Sequence, residues 1–119
     1  MKINVKITIG DEQGRFFMGS GLAWLLEGIE RHRSISAAAR EMNLSYPKAL
    51  KMIRNIEGGL GHQIVLRHKG GNKRGGAELT PVGEEFLRRF RHLQQLIWRF
   101  ADDNLKDVFA TPFTDSGAG

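Results

Sequence analysis

The sequence predicts an α+β fold, and three observations carry that prediction. Apolar and polar residues alternate over residues 2–9 (KINVKITI), the period of a half-buried strand. From residue 22 to residue 105 the apolar positions instead recur every three or four residues, in four segments that read as helices. A glycine-rich basic run, residues 68–76 (HKGGNKRGG), parts the third helix from the fourth and is flanked by short strand-like stretches. At 119 residues the chain has room for one domain with a modest core.

Taken in order, the alternating strand is followed by a turn at residues 10–14 (GDEQG) and a short partner at residues 15–18. The first helix spans residues 22–32, with Ser20 as its expected N-cap and Leu22, Leu25, Leu26 and Ile29 on the inner face. Gly28 weakens this helix but permits a close neighbour, and Trp24 is read as core or interface. Residues 36–42 form the second helix, capped by Ser36; its three alanines allow a close helix crossing, and Asn43 suits the left-handed stop. Ser45 caps the third helix, Pro47 fits its first turn, and Leu50, Ile53 and Ile56 should bury; Gly58 and Gly59 should end it. Strands at residues 63–67 and 77–79 bracket the glycine loop as a hairpin. Thr80 and Pro81 open a long fourth helix reaching about residue 105, with Phe86, Phe90, Leu93, Ile97 and Phe100 as an apolar stripe that favours a second chain as partner. Residues 1–105 are thus the expected domain and 106–119 a tail, its last nine residues (TPFTDSGAG) reading as disordered.

Composition excludes several classes. There is no cysteine, so disulfides, thiol catalysis and cysteine-ligated metal are ruled out; this is compatible with a reducing cytoplasm without establishing it, and the cytoplasm is the expected location. No apolar run approaches the roughly 20 residues that span a bilayer, so no membrane partner is expected. His32, His62, His68 and His92 lack metal-ligand spacing, and no nucleophile stands beside a base. The KGGNKRGG run lacks the Gly-Lys-Ser/Thr that opens a phosphate-loop helix. No enzyme activity, metal or cofactor is expected.

The charge distribution points to a partner. Residues 45–76 hold Lys48, Lys51, Arg54, Arg67, Lys69, Lys73 and Arg74 against a single acid, Glu57, so this segment carries all of the chain's net charge of +5 and more. Two helices joined by a short polar turn, then a basic glycine loop, are the parts of a helix-turn-helix with a wing, and make double-stranded DNA the first partner to consider. An RNA-binding domain would need aromatics for base stacking, and the segment has only Tyr46. A protein-interaction module on the same scaffold is the alternative, disfavoured because protein-binding surfaces are depleted in lysine.

The segment SISAAAREMNLSYPKALKMIRNIE resembles the helix-turn-helix of LysR-type regulators. With the leading strand, the run KGGNKRGGAELT and the long last helix, the chain is more fully similar to the N-terminal DNA-binding domain of the molybdate-responsive ModE family. The resemblance implies a winged helix-turn-helix that dimerises through its long C-terminal helix. It places Ser45, Tyr46, Lys48 and Lys51 at recognition-helix positions and Lys69, Asn72, Lys73 and Arg74 in the wing. Arg54 joins the DNA-binding set from the segment's charge. The expected function is sequence-specific duplex binding by a homodimeric transcription regulator. Full-length family members also carry a C-terminal molybdate-binding module, which the resemblance does not cover, so molybdate sensing is not carried over; a separate effector-sensing protein is kept among the candidate partners.

Overall fold

The computed structural model describes residues 1–68 and 75–114. Expectations for Lys69, Asn72, Lys73 and Arg74, and for the end of the tail, therefore lie outside the described residues. Four helices are present: α1 (Ser20–His32), α2 (Ile35–Glu41), α3 (Tyr46–Leu60) and α4 (Pro81–Val108). Two antiparallel ribbons accompany them, β1 (Ile9–Gly10) with β2 (Phe16–Met18), and β3 (Val65–Arg67) with β4 (Ala77–Leu79). The order is that of a winged helix-turn-helix, with α2 and α3 as the two-helix motif and β3–β4 as the stem of the wing.

The core forms where the helical stripes converge. Leu22, Leu25, Leu26 and Ile29 of α1 meet Ala38 and Ala39 of α2 and Ala49, Ile53 and Ile56 of α3, all buried. Gly28 is where α1 and α2 cross: a methyl group there would lie 2.9 Å from the Ala38 Cβ, so the small pair sets how close the helices come. The turn between α2 and α3 has Asn43 in the left-handed conformation, φ 57°, as the sequence suggested. Leu50 is only half-buried, packed at the margin of the core.

Three caps differ from expectation. Ser34, not Ser36, caps α2: its Oγ accepts from the Ala37 N–H at 3.1 Å, and starting the helix at Ile35 buries that side chain. Either serine can cap, and burial of Ile35 decides between them. Gly19 precedes α1, while the Ser20 hydroxyl accepts from Gln94 Nε2 on α4. Helix α3 runs through Gly58 and Gly59 to Gly61, which takes φ 71°. Gly59 serves packing, because a Cβ there would stand 2.5 Å from the Phe17 ring. Ser45 and Thr80 cap α3 and α4 as expected, through Lys48 N–H and Gly83 N–H.

The alternating N-terminal segment is not the strand that its period suggests. Only Ile9–Gly10 pairs with β2, and residues 1–8 lie outside regular structure. Val5 and Ile7 are half-buried and their neighbours exposed, so the alternation reports which side chains face the protein. The Val5 carbonyl accepts from Trp98 Nε1 at 3.0 Å, laying the segment along α4 instead of in a ladder. Trp24 is not core: it is 58% exposed. Helix α4 continues to Val108, three residues past its expected end.

Glu41 ties α1 to α2, pairing with Arg31 and with His32 Nε2 at 2.7 Å. The hydrogen bond from His32 holds its carboxyl below the ordinary value of 4.5, with Arg31 adding attraction. A lowered folded-state pKa means that this contribution is complete above the unfolded value and fades as pH falls through the folded one. The melting-temperature gap between the parent protein and Glu41→Gln should therefore close as pH drops below 4.5. A gap that stays constant into acid would show that the carboxylate does not join the helices.

Candidate nucleic-acid interface

Helix α3 buries Ala49, Ile53 and Ile56. At 100° per residue this leaves Arg54, Lys51, Asn55 and Lys48 on one outward arc, all exposed. Lys51 lies near the middle of the arc. Tyr46, 36% exposed, lies off this arc, about 80° round the helix from Arg54 on the side where Arg67 of β3 meets it. The Ser45 Oγ accepts from the Lys48 N–H at 3.2 Å, which fixes the start of the helix and leaves the hydroxyl proton free to donate outward. Lys48, Lys51 and Arg54 are thus brought to one surface, with Ser45 at the start of the helix and Tyr46 off the arc on the Arg67 side. Asn55, two turns from Lys48, is exposed on the same arc, and its position is the signal in the sequence; its amide has the donor and acceptor that adenine can pair with.

The acids near this surface are engaged elsewhere. Glu57 Oε2 accepts from Ile64 N–H at 2.8 Å and Val65 N–H at 3.3 Å, joining the end of α3 to the start of β3. Glu78 of β4 pairs with Arg33 at 3.1 Å and His68 at 3.3 Å. Among the described residues, Lys48, Lys51, Arg54 and Arg67 have no carboxylate partner. Arg40, exposed at the end of α2, is in the same condition.

The wing stem is tied to the turn between α1 and α2, where Ala77 N–H donates to the Arg33 carbonyl at 2.9 Å; Thr80 N–H on the Ile64 carbonyl at 2.8 Å extends the β3–β4 pairing by one residue. A groove of about 870 Å³ runs between α3 and this ribbon, lined by Tyr46, Leu50, Arg54, Leu66 and Arg67 among others.

Helix α4 presents two faces. Gly83, Leu87, Phe90 and Gln94 are buried against the rest of the chain. Phe90 is 2% exposed and so belongs to the protomer's own core, a correction to its place in the expected intermolecular stripe. Phe86 is half-buried and also packs on the core. Leu93 (39% exposed), Leu96 (51%) and Phe100 (70%) remain open, with half-buried Ile97 between them. Their spacing of three and four residues makes a second apolar stripe. An Arg91–Glu27 ion pair, with Arg91 Nη1 donating to Gln94 Oε1 at 2.8 Å, locks α4 onto α1.

The family model for bacterial regulatory helix-turn-helix proteins of the LysR family matches residues 25–84, which span the motif, the wing and the start of α4. The chain is 41% identical over 73 residues to the molybdenum-pterin-binding protein MopB of Rhodobacter capsulatus, covering 61% of this chain and 27% of that protein. It is 37% identical over 70 residues to the molybdenum transport protein ModE of Azotobacter vinelandii, covering 59% and 26%. The chain thus spans about a quarter of the length of these relatives. Among solved structures, the CbnR DNA-binding domain in complex with DNA superposes with a TM-score of 0.60 at 24% identity, over 76% of this chain and 99% of that one. CbnR itself, a LysR family transcriptional regulator, gives 0.56 at 25% identity, over 75% and 29%.

Proposed function

The chain belongs to the LysR family of bacterial regulatory helix-turn-helix proteins, as a DNA-binding transcription regulator, and from that premise we propose that it grips duplex DNA as a homodimer with α3 in the major groove. The outward arc of Lys48, Lys51, Arg54 and Asn55 carries this reading. It is a cationic surface facing away from the core, with the neighbouring acids engaged elsewhere. The arc can reach base edges, Ser45 can hold a flanking phosphate, and the wing residues Lys69, Asn72, Lys73 and Arg74 extend the contact to the backbone or minor groove. No helix among the described residues is long and apolar enough to cross a membrane.

The second stripe of α4 supports dimerisation: Leu93, Leu96 and Phe100 are exposed in the protomer, with half-buried Ile97 between them. Two copies joined there would read half-sites about 34 Å apart or a multiple of it. Molybdenum appears in the names of the two curated relatives.

A competition assay tests the proposal. Labelled duplex DNA should be displaced by unlabelled duplex far better than by single strands or double-stranded RNA. Sedimentation should give the mass of two chains. Equal displacement by RNA or single strands would overturn the duplex reading, and a monomer at binding concentrations would overturn the dimer.

A further inference from the structure

We propose that Arg67 and Tyr46 form a two-donor clamp for one DNA phosphate, joining the stem of the wing to the recognition helix. The proposal deepens the duplex-binding reading and rests on it. Arg67 ends β3 opposite Ala77, and Tyr46 begins α3. Twenty-one residues apart in sequence, they meet where Arg67 Nη1 donates to the Tyr46 Oη at 3.3 Å.

The direction of that bond matters. Arginine carries five N–H donors and no acceptor, so the tyrosine oxygen accepts and its own proton stays free to donate away from the pair. One guanidinium N–H is engaged, and the others remain for an outside acceptor. A hydroxyl polarised by a guanidinium is also a stronger donor than an isolated one. The pair therefore offers a fixed positive charge and an aligned O–H to a single anion.

Nothing among the described residues fills that role. Glu57 faces the backbone of Ile64 and Val65, and Glu78 pairs with Arg33 and His68. Both clamp residues lie at the rim of the groove between α3 and the β3–β4 ribbon, and both are exposed. A phosphate fits better than a base edge for two reasons. The planar guanidinium fork matches two phosphate oxygens. Tyr46 also lies about 140° round α3 from Lys51, away from the arc that would face base edges. A hydrogen bond between two exposed side chains adds little to folding, so the pair can be altered without unfolding the protein.

The test is duplex affinity measured by fluorescence anisotropy at rising salt, for the parent, Arg67→Ala, Tyr46→Phe and the double variant, with thermal melts beside them. Arg67→Ala should weaken binding roughly tenfold and make the log affinity–log salt slope shallower by about 0.9 per protomer. Tyr46→Phe removes a neutral donor, so binding should fall several-fold with the slope unchanged. In the Arg67→Ala background Tyr46→Phe should cost less, because the two act on one phosphate. Arg67→Lys keeps the charge without the fork and should keep the parent slope at reduced affinity; it also serves if the alanine variant does not fold. Parent affinity and slope in Arg67→Ala, parent affinity in Arg67→Lys, or an equal loss from Tyr46→Phe in both backgrounds would overturn the clamp. Failure of the parent itself to bind duplex would instead overturn the reading beneath it.

Discussion

Phe90→Ala is expected to destabilise the folded protomer by about 3–5 kcal/mol, whereas Phe100→Ala ten residues along the same helix leaves the protomer intact and weakens the dimer. Phe90 is 2% exposed and lies on the face of α4 that also buries Leu87 and Gln94. Removing its ring leaves a cavity where α4 meets the body of the domain, and a loss of that size rivals the whole stability of a small domain. Phe100 is 70% exposed and touches solvent on the second stripe. Urea unfolding at several protein concentrations separates the two effects. The loss from Phe90→Ala should be the same at every concentration, while that from Phe100→Ala should grow where the parent is dimeric, since assembly adds to apparent stability by mass action. Parent-like unfolding of Phe90→Ala would show that the ring does not anchor α4. An undiminished dimer in Phe100→Ala would remove the second stripe as the seam.

This contrast marks where the sequence stops being legible. The period along α4 announced a long amphipathic helix, and the helix is there. The period does not say which apolar positions meet the chain's own core, because Phe90, Leu93, Ile97 and Phe100 share one spacing. Only the placement of α1 across α4, through Glu27–Arg91 and Ser20–Gln94, divides them. The N-terminal segment shows the same limit. Its alternation foretold that Val5 and Ile7 turn inward, yet a ladder needs a neighbouring strand, and Trp98 meets the Val5 carbonyl instead. Gly59 illustrates it at the level of one residue: a helix-ending signal in sequence is a packing contact with Phe17 in space.

The proposed nucleic-acid surface is more legible on α3 than elsewhere. Burial of Ala49, Ile53 and Ile56 and exposure of Lys48, Lys51 and Arg54 follow from one periodicity, so local sequence sufficed to place the arc. Arg67 is one of the segment's basic residues in sequence, but its meeting with Tyr46 depends on how β3 returns beside α3, which local sequence does not encode. That return is set by Glu57 on the backbone of Ile64 and Val65, a contact seven and eight residues long that no periodicity encodes.

The double variant Lys48→Ala/Lys51→Ala should bind duplex DNA with a salt dependence shallower by about 1.8 per protomer if both ammonium groups neutralise phosphates. The two side chains are exposed, three residues apart on one arc, and lack a carboxylate partner among the described residues, so their removal should leave the fold intact. In a dimer each change acts twice, and the slope difference doubles to about 3.6. Because the lost attraction is screened, the gap between variant and parent should be widest at low salt and narrow as salt rises. A base contact behaves otherwise. If one lysine reads guanine, its removal should lower affinity for the preferred duplex more than for a scrambled one, at a cost of about 1–3 kcal/mol in discrimination. Measuring both duplexes across the salt series thus assigns each lysine: a uniform loss with a shallower slope marks a phosphate contact, and a loss confined to the preferred duplex marks a base contact. Neutralising Lys69, Lys73 and Arg74 together provides the comparison, with a uniform loss expected if the wing lies on the backbone. Affinity and slope unchanged in the Lys48/Lys51 variant would take α3 out of the groove altogether.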